Sequence, residues 1–324
     1  MANRPIICHV LDELAAADVR EVVIVTPSEI ASEITSCIDS EGPRGVDVQP
    51  LVHNYRVEAA VALEAIAGLI GEAPVIIHRA NGLLGGPLAP LLESLNNQSP
   101  DVVLLVAPGA RNTERLAPTS QRMLGIAELN PAKSAFGVAG VCVLASGALR
   151  HLCAVQWSAQ GLELEAMAER LAGDGGCIHV RMVRAWRSFT GETTDLLDLN
   201  RAVLDMLDDG ETPVESDGNR FEGRVIIDAT ASVTSTVICG PAIVGPGAQI
   251  ADSYIGPHTS IGERVHVECA EIERSIVLAG ARIQHVGGRL VASVVGREAH
   301  VFRDFSVPRA IRLQVGDGDE VALC

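Results

Sequence analysis

From Ile227 to Ile272 an aliphatic residue returns every five or six positions. Ile227, Val233, Ile238, Val244, Ile250, Ile255, Ile261, Val267 and Ile272 are spaced 6, 5, 6, 6, 5, 6, 6 and 5 apart. Three steps sum to 17 residues, so Ile238, Ile255 and Ile272 recur at that larger period. An α-helix, with its period of about 3.6 residues, would scatter such positions around its axis. A coil with three short flat sides uses all of them. Each side turns one aliphatic residue inward, and small residues such as Gly240, Gly245, Gly256 and Gly262 turn the corners. The spacing therefore predicts a parallel β-helix of hexapeptide repeats over residues 224–301, in which successive coils bury one another's interior.

The rest of the composition suits that core. Hydrophobic residues make up 48% of the 324-residue chain and aromatic residues only 3%, so its packing must be aliphatic. The length suggests two domains. The formal charge of −16 argues against nucleic acid or an anionic membrane as partner. Any anionic sugar phosphate would need local positive charge, and Lys133 is the only lysine. Eight cysteines are scattered without a C-x-x-C pair or a histidine cluster. That pattern reads as buried thiols in a reducing compartment, and neither as a zinc site nor as a disulfide framework. No leader pattern and no long apolar stretch is present, and a soluble, cytoplasmic protein is expected.

Before the repeats, strand and helix alternate. A helix is expected over 5–18, strands over 21–26 and 46–52, and a helix beginning at Pro27 between them. A longer helix is expected over Val57–Ile70, a strand over 74–78, a helix over Leu88–Leu95 and a strand over 101–107. Beyond a loop at 111–122, the pattern predicts strands over 123–129 and 137–145, a helix over 162–171, a strand over 177–183 and a helix over 195–207. This is the rhythm of a doubly wound, mostly parallel α/β sheet. The acidic stretch 208–223 reads as a linker. The expected domains are thus an α/β domain over 1–207 and a β-helix with an extended tail over 224–324.

Chemistry-bearing motifs are sparse. No glycine-rich phosphate loop follows a strand, and Gly85-Gly86 reads as a turn. His9 lies among apolar residues and reads as a core histidine, while His53 and His78 lie at strand ends without metal-spaced partners. His258, His266, His285 and His300 fall within the repeats and read as tolerated polar residues.

The order of parts resembles the sugar-1-phosphate nucleotidylyltransferases, in particular the long form of glucose-1-phosphate thymidylyltransferase. The stretches that carry the resemblance are Asn3-Arg-Pro-Ile-Ile-Cys-His-Val-Leu, Asp195-Leu-Leu-Asp-Leu-Asn-Arg and Gly240-Pro-Ala-Ile-Val-Gly-Pro-Gly-Ala. Asp252-Ser-Tyr-Ile-Gly-Pro-His-Thr-Ser-Ile-Gly, Ser275-Ile-Val-Leu-Ala-Gly-Ala-Arg-Ile and Pro308-Arg-Ala-Ile-Arg-Leu-Gln-Val-Gly-Asp continue it. The resemblance implies a nucleotidyltransferase-like α/β domain and a left-handed β-helix. It also implies transfer of a nucleotidyl group to a sugar 1-phosphate with release of pyrophosphate, assisted by Mg²⁺.

The residues that would carry this chemistry depart from the family pattern. The family's glycine-rich signature precedes the segment matching Asn3-Arg-Pro, and the sequence opens after it. The first metal aspartate is matched by Asn81 and the second by Phe189, ahead of Thr190-Gly191. The sugar-phosphate lysine is matched by Leu129, beside Glu128. A glycine near the nucleotide is matched by Glu58, and the tyrosine that follows Gly140-Val141 by Cys142. An amide in place of one carboxylate and a phenyl ring in place of the other weaken any cation site.

The sequence is therefore expected to lack catalytic residues, with Asn81, Leu129 and Phe189 as degenerate positions. Glu128, Gly140 and Asn81 are the candidate substrate-binding residues, no metal is expected, and a sugar phosphate or nucleotide is the possible ligand. A binding, regulatory or assembly subunit is expected, as a homo-oligomer or in a hetero-oligomer with an active homologue. Two alternatives stand beside it. One is an active nucleotidylyltransferase using Mg²⁺ with Asp101, Asp195 or Glu128 and arginine in place of lysine; the other is a β-helix acyltransferase. A missing central strand would leave neighbouring strand edges unpaired, closed by a neighbouring strand, by a partner or by a longer chain.

Overall fold

In the computed structural model of this chain, residues 1–52, 73–89, 100–108, 136–154, 164–207 and 218–305 are described, with 66, 68 and 92. The chain divides into two compact units, Met1–Met206 and Leu207–Cys324.

The first unit opens with α1 (Ile6–Ala16), entered from Pro5 at φ −61°, a torsion that the proline ring fixes. Its buried face is Cys8, Val10, Leu11 and Leu14. Strand β1 (Glu21–Thr26), helix α2 (Ala31–Glu41) and strand β2 (Asp47–Val52) follow. β1 and β2 pair in parallel from Glu21↔Asp47 to Thr26↔Val52. Helix α2 starts at Ala31 and not at Pro27, because residues 27–30 close a turn, Ile30 N–H to Pro27 O at 3.4 Å.

Next come β3 (Val75–His78), β4 (Gly82–Leu84), β5 (Val102–Pro108), β6 (Phe136–Leu144), α3 (Ser146–Cys153), α4 (Leu164–Gly173), β7 (Ile178–Met182), β8 (Trp186–Ser188) and α5 (Thr193–Asp205). A four-stranded sheet has the order β3-β6-β5-β7. β5 runs parallel to β7, while β6 is antiparallel to both of its neighbours. The α/β reading holds, but this sheet is mixed: the mostly parallel winding is interrupted where β6 enters between β3 and β5. Residues 102–106 of β5 are buried on both faces, as their unbroken apolar run requires. Val102, Leu104 and Val106 join Leu144, Leu149, Leu152, Met167 and Ile178 in one core. Among the described residues, neither β1 nor β3 has a strand on its outer edge. The helices expected over Val57–Ile70 and Leu88–Leu95, for most of their length, and the loop and strand expected over 111–129, lie outside the described residues.

In the second unit, fifteen short strands from Arg220–Glu222 to His300–Phe302 form three five-stranded parallel sheets, a solenoid of about five turns. Over the first coils the register repeats at 17 residues: Val225↔Ala242 and Ala242↔Thr259 on one side, Ser232↔Gln249 and Gln249↔His266 on the next. The inward columns are Ile227–Val244–Ile261–Val277–Val295, Val233–Ile250–Val267–Ile283–Val301 and Phe221–Ile238–Ile255–Ile272–Leu290. All nine residues of the sequence repeat lie in these columns. The ladder starts at Arg220, inside the stretch expected as linker, because Phe221 pairs with Ile238 and adds a rung below Ile227.

Several corners are turned by non-glycine residues in the left-handed region, among them Ser235, Asp252, Cys269 and His285. L-residues resist that conformation by roughly 1–2 kcal/mol. Ala292, at φ 50° and exposed, has no polar side chain to offset the strain. Ala292→Gly is expected to raise stability by up to about 1 kcal/mol, after the extra chain entropy of glycine is subtracted. A urea titration of both proteins checks the sign.

Candidate functional site

Strands β4 and β8 pair antiparallel, Gly82↔Ser188 to Leu84↔Trp186. The pairing brings together two of the sequence-predicted positions, which lie 108 residues apart in the chain. The Phe189 N–H donates to the Asn81 carbonyl at 2.7 Å, and Asn81 Nδ2 donates back to the Phe189 carbonyl at 3.1 Å. Neither side chain carries charge, and Phe189 is exposed. Glu128, Leu129 and Glu58 lie outside the described residues.

Gly140, the third candidate within the described residues, is buried in β6, where its carbonyl accepts the Arg79 N–H at 2.7 Å. A Cβ on Gly140 would run into the Trp186 ring, and so would one on Gly82. The indole, 8% exposed, therefore lies against the bare backbone of both strands. Trp186 also meets His78 edge-to-face, with centroids 5.6 Å apart. The sequence reading gave Trp186 and Glu13 no role; the available signal was one of only two tryptophans in a chain so poor in aromatics.

Near this strand pair sits a polar pair, His78 and Glu13. His78 Nδ1 donates to the Arg79 carbonyl at 2.8 Å, which leaves Nε2 directed to Glu13 Oε2 at 3.6 Å. The other Glu13 oxygen accepts the Leu84 N–H at 3.1 Å, so α1 holds β4 through a side chain. His78 Nε2 and Glu13 Oε2 have no hydrogen-bond partner among the described residues.

Two of the carboxylates considered for a metal, Asp195 and Asp101, are already engaged. Asp195 Oδ2 accepts the Thr190 N–H at 2.9 Å and the Thr190 hydroxyl, in the first turn of α5, where negative charge complements the helix dipole. Asp101 Oδ2 accepts the Cys177 N–H at 2.8 Å. Among the described residues, no three His, Cys, Asp or Glu side chains are grouped to hold a metal ion. A hard cation such as Mg²⁺ prefers charged oxygens, and the residues at Asn81 and Phe189 do not fit it.

His53 lies outside the described residues, and several other histidines find ordinary surroundings. His9 Nε2 meets the Met1 carbonyl at 3.0 Å, and burial holds its pKa below the usual value. On the solenoid, His266 lies 3.6 Å from Glu268, His300 3.1 Å from Gln284, and His285 edge-on to Phe305. No helix among the described residues is long and apolar enough to cross a membrane.

The chain thus combines a mixed α/β unit with a parallel solenoid. No family model matches the chain. It is similar to glucose-1-phosphate thymidylyltransferase of Streptomyces griseus, 29% identical over 327 residues, covering 98% of this chain and 90% of the relative. The enzyme of the same name from Streptomyces antibioticus is 26% identical over 330 residues, covering 100% and 92%. The low-salt glycan biosynthesis nucleotidyltransferase Agl11 of Haloferax volcanii is 24% identical over 340 residues, covering 100% and 92%. Among solved structures, a Bacillus anthracis protein described as a glucose-1-phosphate thymidylyltransferase, in complex with sucrose, shares the fold. Its TM-score is 0.52 at 19% identity, over 64% of this chain and 85% of that one. Over nearly its full length, then, the chain is similar to glucose-1-phosphate thymidylyltransferases and to a glycan biosynthesis nucleotidyltransferase.

Proposed function

We propose that this chain is a non-catalytic homologue of these enzymes that acts as a binding, regulatory or assembly subunit. The observation that carries the reading is the hydrogen-bonded pairing of Asn81 with Phe189. The two positions matched to metal aspartates do come together, which supports the residue matching, yet they present an amide and a phenyl ring. Without two carboxylates no divalent cation is held there to offset charge developing on the phosphates, the largest stabilising term in such a transfer. The solenoid keeps its complete ladder, and stacked repeats of this kind give an extended surface for assembly. An analogous active/inactive pairing of subunits motivates a homo-oligomer, or a hetero-oligomer with an active homologue.

The test is pyrophosphate release from nucleoside triphosphates and sugar 1-phosphates in Mg²⁺. Release no greater than in a protein-free control is expected; Mg²⁺-dependent release that scales with protein would overturn the loss of catalysis. Light scattering and co-purification address assembly, and a lone monomer without partner would remove that part of the reading.

A further inference from the structure

The first unit carries a thiol pair that the sugar-nucleotide reading does not use. Cys8, near the start of α1, and Cys37, in the second half of α2, place their sulfurs 3.4 Å apart. Their separation along the chain is 29 residues. A disulfide needs the sulfurs at about 2.05 Å, an approach of roughly 1.4 Å, within reach of small side-chain rotations. We propose that Cys8 and Cys37 form a reversible intramolecular disulfide, a redox-modification site tying α1 to α2.

Exposure sets the order of events. Cys8 is fully buried, whereas Cys37 is half-buried and reachable from solvent. Burial, with the neighbouring Cys37 sulfur adding to it, pushes the Cys8 thiol up to about 12, so Cys8 stays protonated and unreactive by itself. The Cys37 thiolate attacks glutathione disulfide, forming a mixed disulfide and releasing one glutathione. Cys8 then attacks Cys37 Sγ, its proton passing to the glutathione thiolate that is expelled. Two thiols lose two electrons and two protons, and glutathione disulfide takes up both pairs. Arg4, hydrogen-bonded to Asp12 and to the Glu41 carbonyl, brings a positive charge that favours the transient Cys8 thiolate. The link would close a 29-residue loop across β1, fixing the helix that also carries Glu13.

The test exposes the reduced full-length protein to glutathione buffers of stepped disulfide content, followed by alkylation and peptide mapping. Cys269, exposed on the solenoid, serves as the reference thiol for oxidant reach. The expected result is a Cys8–Cys37 cross-linked peptide in near-complete yield, reversed by dithiothreitol, with a mass two hydrogens below the sum of its two reduced parts. Cys37→Ser is expected to abolish the cross-link while Cys269 still reacts. Cys8→Ser is expected to leave Cys37 as a glutathione adduct. Accumulation of that adduct in the unaltered protein, pairing of either cysteine elsewhere, or an untouched pair while Cys269 is fully modified would each overturn the proposal.

Discussion

Ile255→Ala is expected to lower the stability of the solenoid by about 2–5 kcal/mol, and Ile255→Asp to prevent the central coils from forming. Ile255 is fully buried and pairs in register with Ile238 below and Ile272 above, both also fully buried. Truncation removes apolar surface that both neighbours pack against. It also leaves a cavity that cannot collapse, because parallel ladders on either side fix the coil spacing. Aspartate is worse, since an isolated carboxylate in an aliphatic column has no partner to offset its lost hydration. Ile243 is the control: it belongs to the strand Ala242–Val244 but is only half-buried, between inward-facing Ala242 and Val244. Its truncation should cost clearly less. Urea unfolding followed by far-UV circular dichroism checks the ranking. Equal midpoints for the Ile255 and Ile243 variants would contradict the inward assignment.

The solenoid was legible because its physics leaves few choices. Each coil must place an aliphatic side chain at three inward positions, so the pattern is written repeatedly and survives local noise. The rung at Phe221 escaped because it is aromatic and stands in a stretch dominated by acidic and polar residues. In the first unit, β1 and β5 were legible as unbroken apolar runs. Helix α3 was not: it has eight residues, includes Gly147, and buries only Ala148, Leu149 and Leu152, too little for a helical period to show. Strands β4 and β8 are three residues each, and their pairing joins positions about a hundred residues apart, which no local pattern can announce.

The site was legible in a different way. Asn81 and Phe189 were picked out by likeness to a family, not by any chemical signature of their own. Of the four groups that join them, three are backbone atoms and one is the Asn81 side-chain amide; backbone pairing is indifferent to side-chain identity. Asp101 and Asp195 looked available as ligands because a sequence shows a carboxylate but not the N–H groups that occupy it. Gly140 shows the same gap. Its lack of a side chain could be read from the sequence, but the Trp186 ring that uses the space could not.

That contact gives the second large prediction. Gly140→Ala is expected to cost about 1–3 kcal/mol, and Gly140→Val more, by overpacking. The reason is close approach alone: a Cβ would lie 2.9 Å from Trp186 Cη2 and closer still to Cζ2, with Arg79 Cβ 3.0 Å away on the other side. The ring cannot retreat, since Gly82 confines it on β4 in the same manner and His78 stands at its edge. It must leave, and with it goes the β4–β8 pairing that holds Asn81 against Phe189. Trp186 is one of two tryptophans, so its expulsion should shift the summed emission to the red. Trp186→Leu removes the part of the ring that would be struck. The Gly140→Ala/Trp186→Leu double variant should therefore cost less than the sum of the two single changes, because the added methyl enters space the indole has left. Strict additivity, with unchanged emission in Gly140→Ala, would show that glycine at 140 does not serve this packing and would return it to the list of residues kept clear for a ligand.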